Sequence, residues 1–330
     1  MSRRDTVGIV GAGPFGTALG SVLARAGRRV VLWSRDTAVV ESINRDRKSP
    51  RLPSAPLPES LEATADPQRL ANEARFLVLA VVSNNVRARA RELGDVLDGS
   101  HIVVHAIGAL APAEHGEAER ISEVMAAGIP TLRIGVLAGP ALPADLADGQ
   151  FSSMVVASAF EEVVAEGRRL LNAPPMLRVY GSKDLAGVEY AAALSGAYTI
   201  ALGLADGLGI TTGPRAVLIT RAVAEASRLG LAVGTEARTF SGLAGLGNLL
   251  VRATGDRSAD YLLGRRLAEG VVTADAARTE GARAALAMIA LATKLKIRMP
   301  VLEGVAGVLT GKLEPGEAAR MVGDTVAEAE

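Results

Sequence analysis

A glycine-rich turn placed directly after a short apolar segment is the feature that most constrains this fold. Residues 6–10 (Thr-Val-Gly-Ile-Val) are typical of a buried parallel strand, and Gly11-Ala-Gly13-Pro-Phe-Gly16 follows at once. A helical stretch and a second apolar segment come next. In such a unit Gly11 permits a tight turn, Gly13 lets the backbone approach a pyrophosphate, and Gly16 allows close helix–strand packing. This order of elements favours a dinucleotide site over a glycine-rich turn that binds nothing.

The residues after the second strand bear on the choice of cofactor. That strand, at residues 29–33, leads into Ser34-Arg35-Asp36. An acidic residue at this place usually binds the ribose 2′-hydroxyl of NAD, whereas an arginine accommodates the 2′-phosphate of NADP. Because Arg35 precedes Asp36, we expect a modest preference for NADP. The alternative is that Arg35 is only a solvated loop charge.

Alternating patterns predict the rest of the architecture. Short apolar segments alternate with helical ones in the first half of the chain, which indicates an α/β Rossmann-type doubly wound parallel sheet. From about residue 184 only long helical stretches follow, which predicts a separate all-α C-terminal domain. We therefore expect a dinucleotide-binding domain at residues 1–183 and an all-helical substrate-type domain at residues 184–330. Further strands are expected at 76–82, 101–105, 131–137 and 153–157, and helices at 187–208, 213–229, 260–269 and 279–295.

Composition narrows the classes of function. Lysine plus arginine (36) equals aspartate plus glutamate (36), so net charge does not favour a nucleic-acid partner or an anionic membrane. The chain runs straight into a strand without a signal-like apolar region, and no uncharged run is long enough to span a bilayer. We therefore expect a cytoplasmic protein without membrane insertion. Without cysteine and with only 3 histidines, thiolate catalysis is excluded and a metal site is disfavoured.

Short characteristic segments occur along nearly the whole chain. Those of the first domain are 11–19 (GAGPFGTAL), 31–35 (VLWSR), 57–65 (LPESLEATA) and 138–140 (AGP). Those of the second domain are 187–189 (GVE), 205–209 (ADGLG), 218–221 (LITR), 239–247 (TFSGLAGLG), 280–281 (EG) and 299–300 (MP). With these segments in this order, the chain resembles the bacterial NAD(P)-dependent glycerol-3-phosphate dehydrogenases. The resemblance implies NADP or NAD as cofactor, a dinucleotide as binding partner, and a possible homodimer.

The cofactor positions of this family are largely kept. Pro14 stands where the family has a small polar residue, and it removes one backbone N–H, which would weaken pyrophosphate binding. The residues that the resemblance assigns to the cofactor are Gly11, Gly13, Pro14, Phe15, Gly16, Arg35 and Glu280.

The substrate positions, by contrast, have lost their charged groups. The family's two lysines, which are its candidates for handling the hydroxyl proton, correspond to Ile107 and Ser195. The family's Gly-Asp-Leu corresponds to Gly247-Asn248-Leu249, and its Ser-Arg-Asn, which grips phosphate and cofactor, to Ser258-Ala259-Asp260. The matched positions therefore hold no catalytic residue, and Asp260 would repel a phosphate.

Three interpretations follow from these departures. The first is a catalytically degenerate member, a pseudoenzyme, that keeps the fold and NADP(H) binding and has a binding or regulatory role with a protein partner. The second is an active NAD(P)-dependent dehydrogenase on a different hydroxy or keto substrate. The third, a working glycerol-3-phosphate dehydrogenase, requires that the alignment at Ile107 and Ser195 be wrong. Candidate groups for the second interpretation are Lys183, Arg215, Arg221 and Glu280.

Overall fold

The chain forms two compact units in a computed structural model. The structure describes residues 3–52, 56–112, 118–253, 258–271 and 278–324. The first unit comprises 1–107 and 119–185, and the second comprises 108–118 and 186–330. The functional division expected at residues 183 and 184 stays a prediction.

An eight-stranded sheet forms the centre of the first unit. Its strands are β1 (Thr6–Val10), β2 (Arg29–Trp33), β3 (Leu61–Thr64), β4 (Phe76–Leu79), β5 (Ile102–His105), β6 (Ile134–Ala138), β7 (Ser152–Ala157) and β8 (Leu177–Ser182). They lie in the order β3-β2-β1-β4-β5-β6-β7-β8. Every residue of β1, β4, β5 and β6 is buried, as expected for a parallel sheet covered on both faces.

The expected parallel arrangement is correct for every neighbouring pair except one. Strand β7 runs antiparallel to β6, whereas β8 is again parallel to β7. The only helix between β6 and β7, Pro143–Ala147, has 5 residues and spans about 7 Å, less than the roughly 16 Å needed to return along a five-residue strand. The 11-residue helix Glu161–Leu171 before β8 is long enough for a parallel crossover.

Seven helices of the described residues belong to the first unit. They are α1 (Pro14–Arg25), α2 (Thr37–Glu41), α3 (Pro67–Glu73), α4 (Val86–Gly94), α5 (Ile121–Gly128), α6 (Pro143–Ala147) and α7 (Glu161–Leu171). One apolar cluster joins β1, β2, β4 and β7 to helix α1, so the nucleotide-type turn after β1 rests on the main core.

In the second unit, the described residues between 186 and 324 form helices joined by turns, with no strand among them. Its helices are α8 (Leu185–Gly207), which begins one residue before the unit boundary, α9 (Thr212–Ala232), α10 (Ala237–Ser241), α11 (Asn248–Arg252), α12 (Ala259–Ala268), α13 (Glu280–Lys294), α14 (Pro300–Leu309) and α15 (Pro315–Asp324). Helix α8 is long and apolar enough to cross a membrane, but 83% of its apolar window is buried in the structure. An apolar surface on all sides of a helix is typical of a central core helix. The predicted architecture, a Rossmann-type sheet followed by a helical domain, is confirmed.

Candidate functional site

The three glycines of the turn after β1 have the separate roles that their spacing predicts. Gly11 has φ +117°, and a Cβ there would collide with the carbonyl oxygen of Ala80 at the end of β4. A Cβ on Gly16 would collide with the carbonyl oxygen of Gly11. Gly13, in contrast, has no heavy atom within 4 Å of the position of a Cβ. The turn is therefore tightly packed at Gly11 and Gly16 and open at Gly13, the side from which a pyrophosphate would approach.

The N-terminus of α1 offers donors at this open side. Thr17 donates the first hydrogen bond of the helix, to the Gly13 carbonyl at 3.0 Å, which leaves the N–H groups of Phe15 and Gly16 ahead of the intrahelical ladder. Pro14 is exposed at the first helical position, where its missing N–H does not disturb the helix. The site therefore keeps two N–H donors and the positive end of the helix dipole for a phosphate. Pro14 removes one further N–H donor that another residue would have supplied.

The acidic residue after β2 is already engaged. Asp36 caps α2, its Oδ1 accepting from the Val39 N–H at 3.3 Å, and its Oδ2 lies 3.7 Å from Nη2 of Arg51. The backbone N–H of Asp36 donates to Ser34 Oγ at 3.2 Å. Arg35, one residue earlier, is exposed. Both residues are exposed, but the carboxylate of Asp36 already has a hydrogen-bond donor and an ion-pair partner.

A second arginine adds positive charge beside Arg35. The guanidinium of Arg89, on α4, lies 5.6 Å from the centre of the Trp33 ring and forms an ion pair with Glu92. Burial and, after it, the positive charge of Arg35 lower the pKa of Arg89. The two guanidinium groups are thus close enough to interact, and Glu92 already balances the charge of Arg89.

In the second unit, Ser195 is part of a neutral hydrogen-bonded pair. It is buried in α8, where its hydroxyl donates to the Ala192 carbonyl at 2.7 Å and accepts from Nδ2 of Asn248 at 2.9 Å. Ser195 and Asn248 are therefore in direct contact. Both side chains are uncharged, and the hydroxyl and the amide satisfy each other by a hydrogen bond.

An arginine lies beside this pair, against the backbone of α8. A Cβ added to Gly196 would lie 2.8 Å from Nη1 of Arg252 and 3.2 Å from Oδ2 of Asp260. Nη1 is 3.7 Å from that Oδ2, and Nη1 itself is buried without a hydrogen-bond partner among the described residues. Gly196 is therefore the residue that leaves room for the guanidinium.

Helix termini hold the carboxylate of Asp260 in place. Ser258 caps α12 and Thr279 caps α13, and Asp260 Oδ1 accepts from the N–H of Gly281 at 3.0 Å. Burial raises the pKa of Asp260, and the charge of Arg252 opposes this rise. The cluster of Ser195, Asn248, Arg252 and Asp260, called here the helical-unit cluster, contains one cation and one buried carboxyl group.

The other predicted residues are distributed over both units. Ile107 is buried at the end of the first unit, 5% exposed. Because its side chain is a hydrocarbon, it offers neither a charge nor a hydrogen bond. Glu280 begins α13, and Lys183 is exposed after β8. Arg215 pairs with Asp206 at 3.0 Å. Arg221 is half-buried on α9.

Arg252 is the member of the cluster that the sequence analysis missed. A signal was available, since Arg252 follows Asn248 by four residues on α11 and side chains at this spacing share a helix face. Gly196, in contrast, lies on helix α8, and no sequence pattern predicts its contact with Arg252.

Two sequence profiles of one family match most of the chain. The profile described as "NAD-dependent glycerol-3-phosphate dehydrogenase N-terminus" matches residues 6–164. The profile described as "NAD-dependent glycerol-3-phosphate dehydrogenase C-terminus" matches residues 184–320.

Individual relatives and solved structures agree with these profiles. The chain is 35% identical to the glycerol-3-phosphate dehydrogenase [NAD(P)+] of Halorhodospira halophila over 99% of this chain and 98% of the relative. It is 38% identical to that of Novosphingobium aromaticivorans, with 92% of each covered. The glycerol-3-phosphate dehydrogenase structure from Coxiella burnetii has a TM-score of 0.85 at 29% identity and covers 98% of this chain and 99% of its own. The Plasmodium falciparum structure, at 15% identity and a TM-score of 0.87 over 98% of this chain and 96% of its own, shares the fold.

Proposed function

This chain belongs to the NAD-dependent glycerol-3-phosphate dehydrogenase family, and from that premise we propose that it binds NADP(H) without reducing dihydroxyacetone phosphate at a useful rate. In this proposal residues 1–183 bind the dinucleotide. Residues 184–330, the substrate-type domain, have a binding or regulatory role instead of the family's reaction. The protein is then a pseudoenzyme that retains its cofactor site.

The observation that carries the proposal is the neutral pair of Ser195 and Asn248. Hydride transfer to a ketone requires a group that donates a proton to the developing alkoxide and stabilises its charge. The Ser195 hydroxyl already donates to the Ala192 carbonyl, and the Asn248 amide donates to Ser195. Neither group carries a positive charge, and Ile107, at the other lysine position of the family, cannot form a hydrogen bond with its side chain.

The size of the defect follows from the number of missing groups. A positioned acid–base or charge-stabilising group contributes about 10²–10⁴-fold to the rate. Two missing groups therefore lower turnover by about 10⁴-fold or more. Substrate binding suffers as well, since the carboxyl group of Asp260 stands where the family has Asn and disfavours a phosphate dianion.

The activity test is consumption of NADPH by the full-length protein with dihydroxyacetone phosphate. We expect no turnover above background, whereas a rate of about 1–10 s⁻¹, ordinary for an enzyme, would refute the proposal. The variant Ser195→Lys by itself should recover little activity, because catalytic residues that act as a unit are strongly non-additive.

The preference for NADP is the second half of the proposal, and the exposed Arg35 beside the engaged Asp36 supports it. Calorimetry should find NADPH bound more tightly than NADH. Arg35→Asp should weaken NADPH by roughly tenfold to a hundredfold, as expected for a lost charge-assisted hydrogen bond, and change NADH little. Arg178→Asp, at an exposed arginine on the edge strand β8, is the matched control. If neither cofactor binds at about millimolar concentration, where binding free energy is only about 4 kcal/mol, the dinucleotide site is vestigial.

A second candidate function is an active NAD(P)-dependent dehydrogenase on a different hydroxy or keto substrate. The observation that favours it is the cation of Arg252, which lies near Ser195 and Asn248 and has a buried nitrogen without a hydrogen-bond partner. Turnover of such a substrate with NADPH, in the absence of turnover of dihydroxyacetone phosphate, would establish this function. A cytoplasmic location, a homodimer and a protein partner are further expectations of the proposal; sedimentation of the purified chain tests the dimer.

A further inference from the structure

The guanidinium of Arg252 is incompletely satisfied within the second unit. Its Nη1 is buried against Gly196 and has no hydrogen-bond partner among the described residues, and the nearest carboxylate oxygen, on Asp260, is 3.7 Å away. That distance allows a Coulombic attraction but is too long for a hydrogen bond. A cation held in this way retains capacity to bind an anion, because an arginine has five N–H donors.

Part of the Arg252 side chain is accessible, although its Nη1 is buried. The Arg252 side chain keeps 24% of its surface exposed, whereas that of Asp260 keeps 7%. Asn248, one helical turn earlier on the same face of α11, is half-buried and uses its Nδ2 on Ser195. Its Oδ1 accepts no hydrogen bond from the described residues. A partly exposed arginine side chain and an amide oxygen are thus brought together on one side of a short helix.

The charges of the cluster select the kind of anion. Arg252 contributes one positive charge, and the buried carboxyl group of Asp260 lies close to it. A phosphate dianion would bring two negative charges toward one cation and one carboxylate, and burial of that arrangement is unfavourable. A carboxylate brings one charge and matches the planar guanidinium, and a neighbouring hydroxyl of the same molecule could donate to Asn248 Oδ1.

We propose that the helical-unit cluster is a binding site for a small hydroxycarboxylate, with Arg252 binding the carboxylate and Asn248 accepting from the hydroxyl. This inference rests on the proposed function for its premise that the family's phosphate contacts are gone. Gly196 is a positioning residue in this site, since any side chain there would displace the guanidinium.

The test is calorimetric titration of the full-length chain with D-glycerate, with glycerol 3-phosphate and with glycerol, each with and without NADP+. Glycerate and glycerol 3-phosphate share a three-carbon hydroxylated skeleton and differ in the anion, and glycerol lacks the anion. We expect glycerate to bind more tightly than the other two. Arg252→Met should weaken glycerate by roughly tenfold to a hundredfold. Arg238→Met, at an arginine whose side chain is 85% exposed, should leave its affinity unchanged.

Two further variants keep the test decisive. Arg252→Met leaves the buried carboxyl group of Asp260 without its cation and could destabilise the unit, so the double variant Arg252→Met/Asp260→Asn removes both charges together. Gly196→Asn should weaken glycerate by displacing the guanidinium while both charges remain. If glycerate does not bind, if glycerol 3-phosphate binds more tightly, or if the double variant binds glycerate as well as the wild type does, the inference is overturned. The titration reads binding alone, so turnover of dihydroxyacetone phosphate refutes the proposed function without deciding this result.

Discussion

We expect a buried glutamate that caps a core helix to make the stability of the second unit depend on pH. Glu225, on α9, is 1% exposed, and its carboxylate accepts from the backbone N–H groups of Val301 at 3.1 Å and Leu302 at 3.0 Å, in the first turn of α14. Tyr198 on α8 and Arg228 on α9 are the other ionisable groups that act on it. Burial, opposed by these hydrogen bonds and by the charge of Arg228, raises the pKa of Glu225 to about 7.

The sign and size of the effect follow from linkage. The folded state holds the proton of Glu225 more tightly than the unfolded chain, in which the pKa is near the ordinary value of 4.5. The protonated form therefore stabilises the fold fully below about pH 4.5, and this contribution is lost as the pH rises through about 7. At about 1.4 kcal/mol for each pH unit between the two pKa values, the full loss is about 3 kcal/mol, of which about 2 to 3 kcal/mol falls between about pH 5 and about pH 8.

The perturbation is Glu225→Gln, which removes the ionisation and keeps the shape. Its amide NH2 faces one of the two helix N–H groups, so we expect the variant to be less stable than the wild type at about pH 5, by about 1–3 kcal/mol. The wild type then loses stability as the pH rises and the variant does not. The difference in their free energies of unfolding therefore narrows or reverses by about pH 8. Urea unfolding followed by far-ultraviolet circular dichroism measures this, since the second unit is helical.

Glu303→Gln is the matched control. Glu303 lies on the same helix α14 and accepts from the Met299 N–H at 3.0 Å, but it is only half-buried. Its substitution should leave the pH dependence of the wild type unchanged. Parallel stability curves for the wild type and Glu225→Gln between about pH 5 and about pH 8 would refute the reasoning, because the buried carboxyl group would then not titrate in this range.

Two further predictions concern the turn after β1 and the start of α13. Gly13→Ala should leave the melting temperature nearly unchanged and weaken NADPH in calorimetry, because its Cβ would occupy open space on the pyrophosphate side. Gly16→Ala should lower the free energy of unfolding by more than about 1 kcal/mol, because its Cβ meets backbone that cannot move aside; equal stability of the two variants would contradict this. Thr279→Ala should cost about 1 kcal/mol in urea unfolding through loss of its cap to the Ala282 N–H, and Thr293→Ala, late in the same helix, serves as the control.

Local patterns were sufficient for the main elements of the fold. The glycine turn and the long apolar stretches of the second unit predict their elements because a single residue period or a backbone requirement decides each one. The strands β3 and β8 were not predicted. Strand β3, Leu-Glu-Ala-Thr, lacks the continuous apolar run of the equally short β4, and β8 alternates buried and exposed side chains only in its first part. Such short segments acquire their strand conformation from pairing with a neighbour that the sequence does not identify.

The candidate site likewise has features that the sequence predicts and features that only the tertiary structure decides. The sequence by itself determined that positions 107 and 195 carry no charge, because the identity of a side chain decides whether it can carry charge. The tertiary structure alone decided which groups surround position 195. It pairs Ser195 with Asn248 and seats Arg252 on Gly196, contacts between residues about fifty positions apart. Such contacts depend on how α8 and α11 pack, and packing over long separations is not encoded in any local pattern.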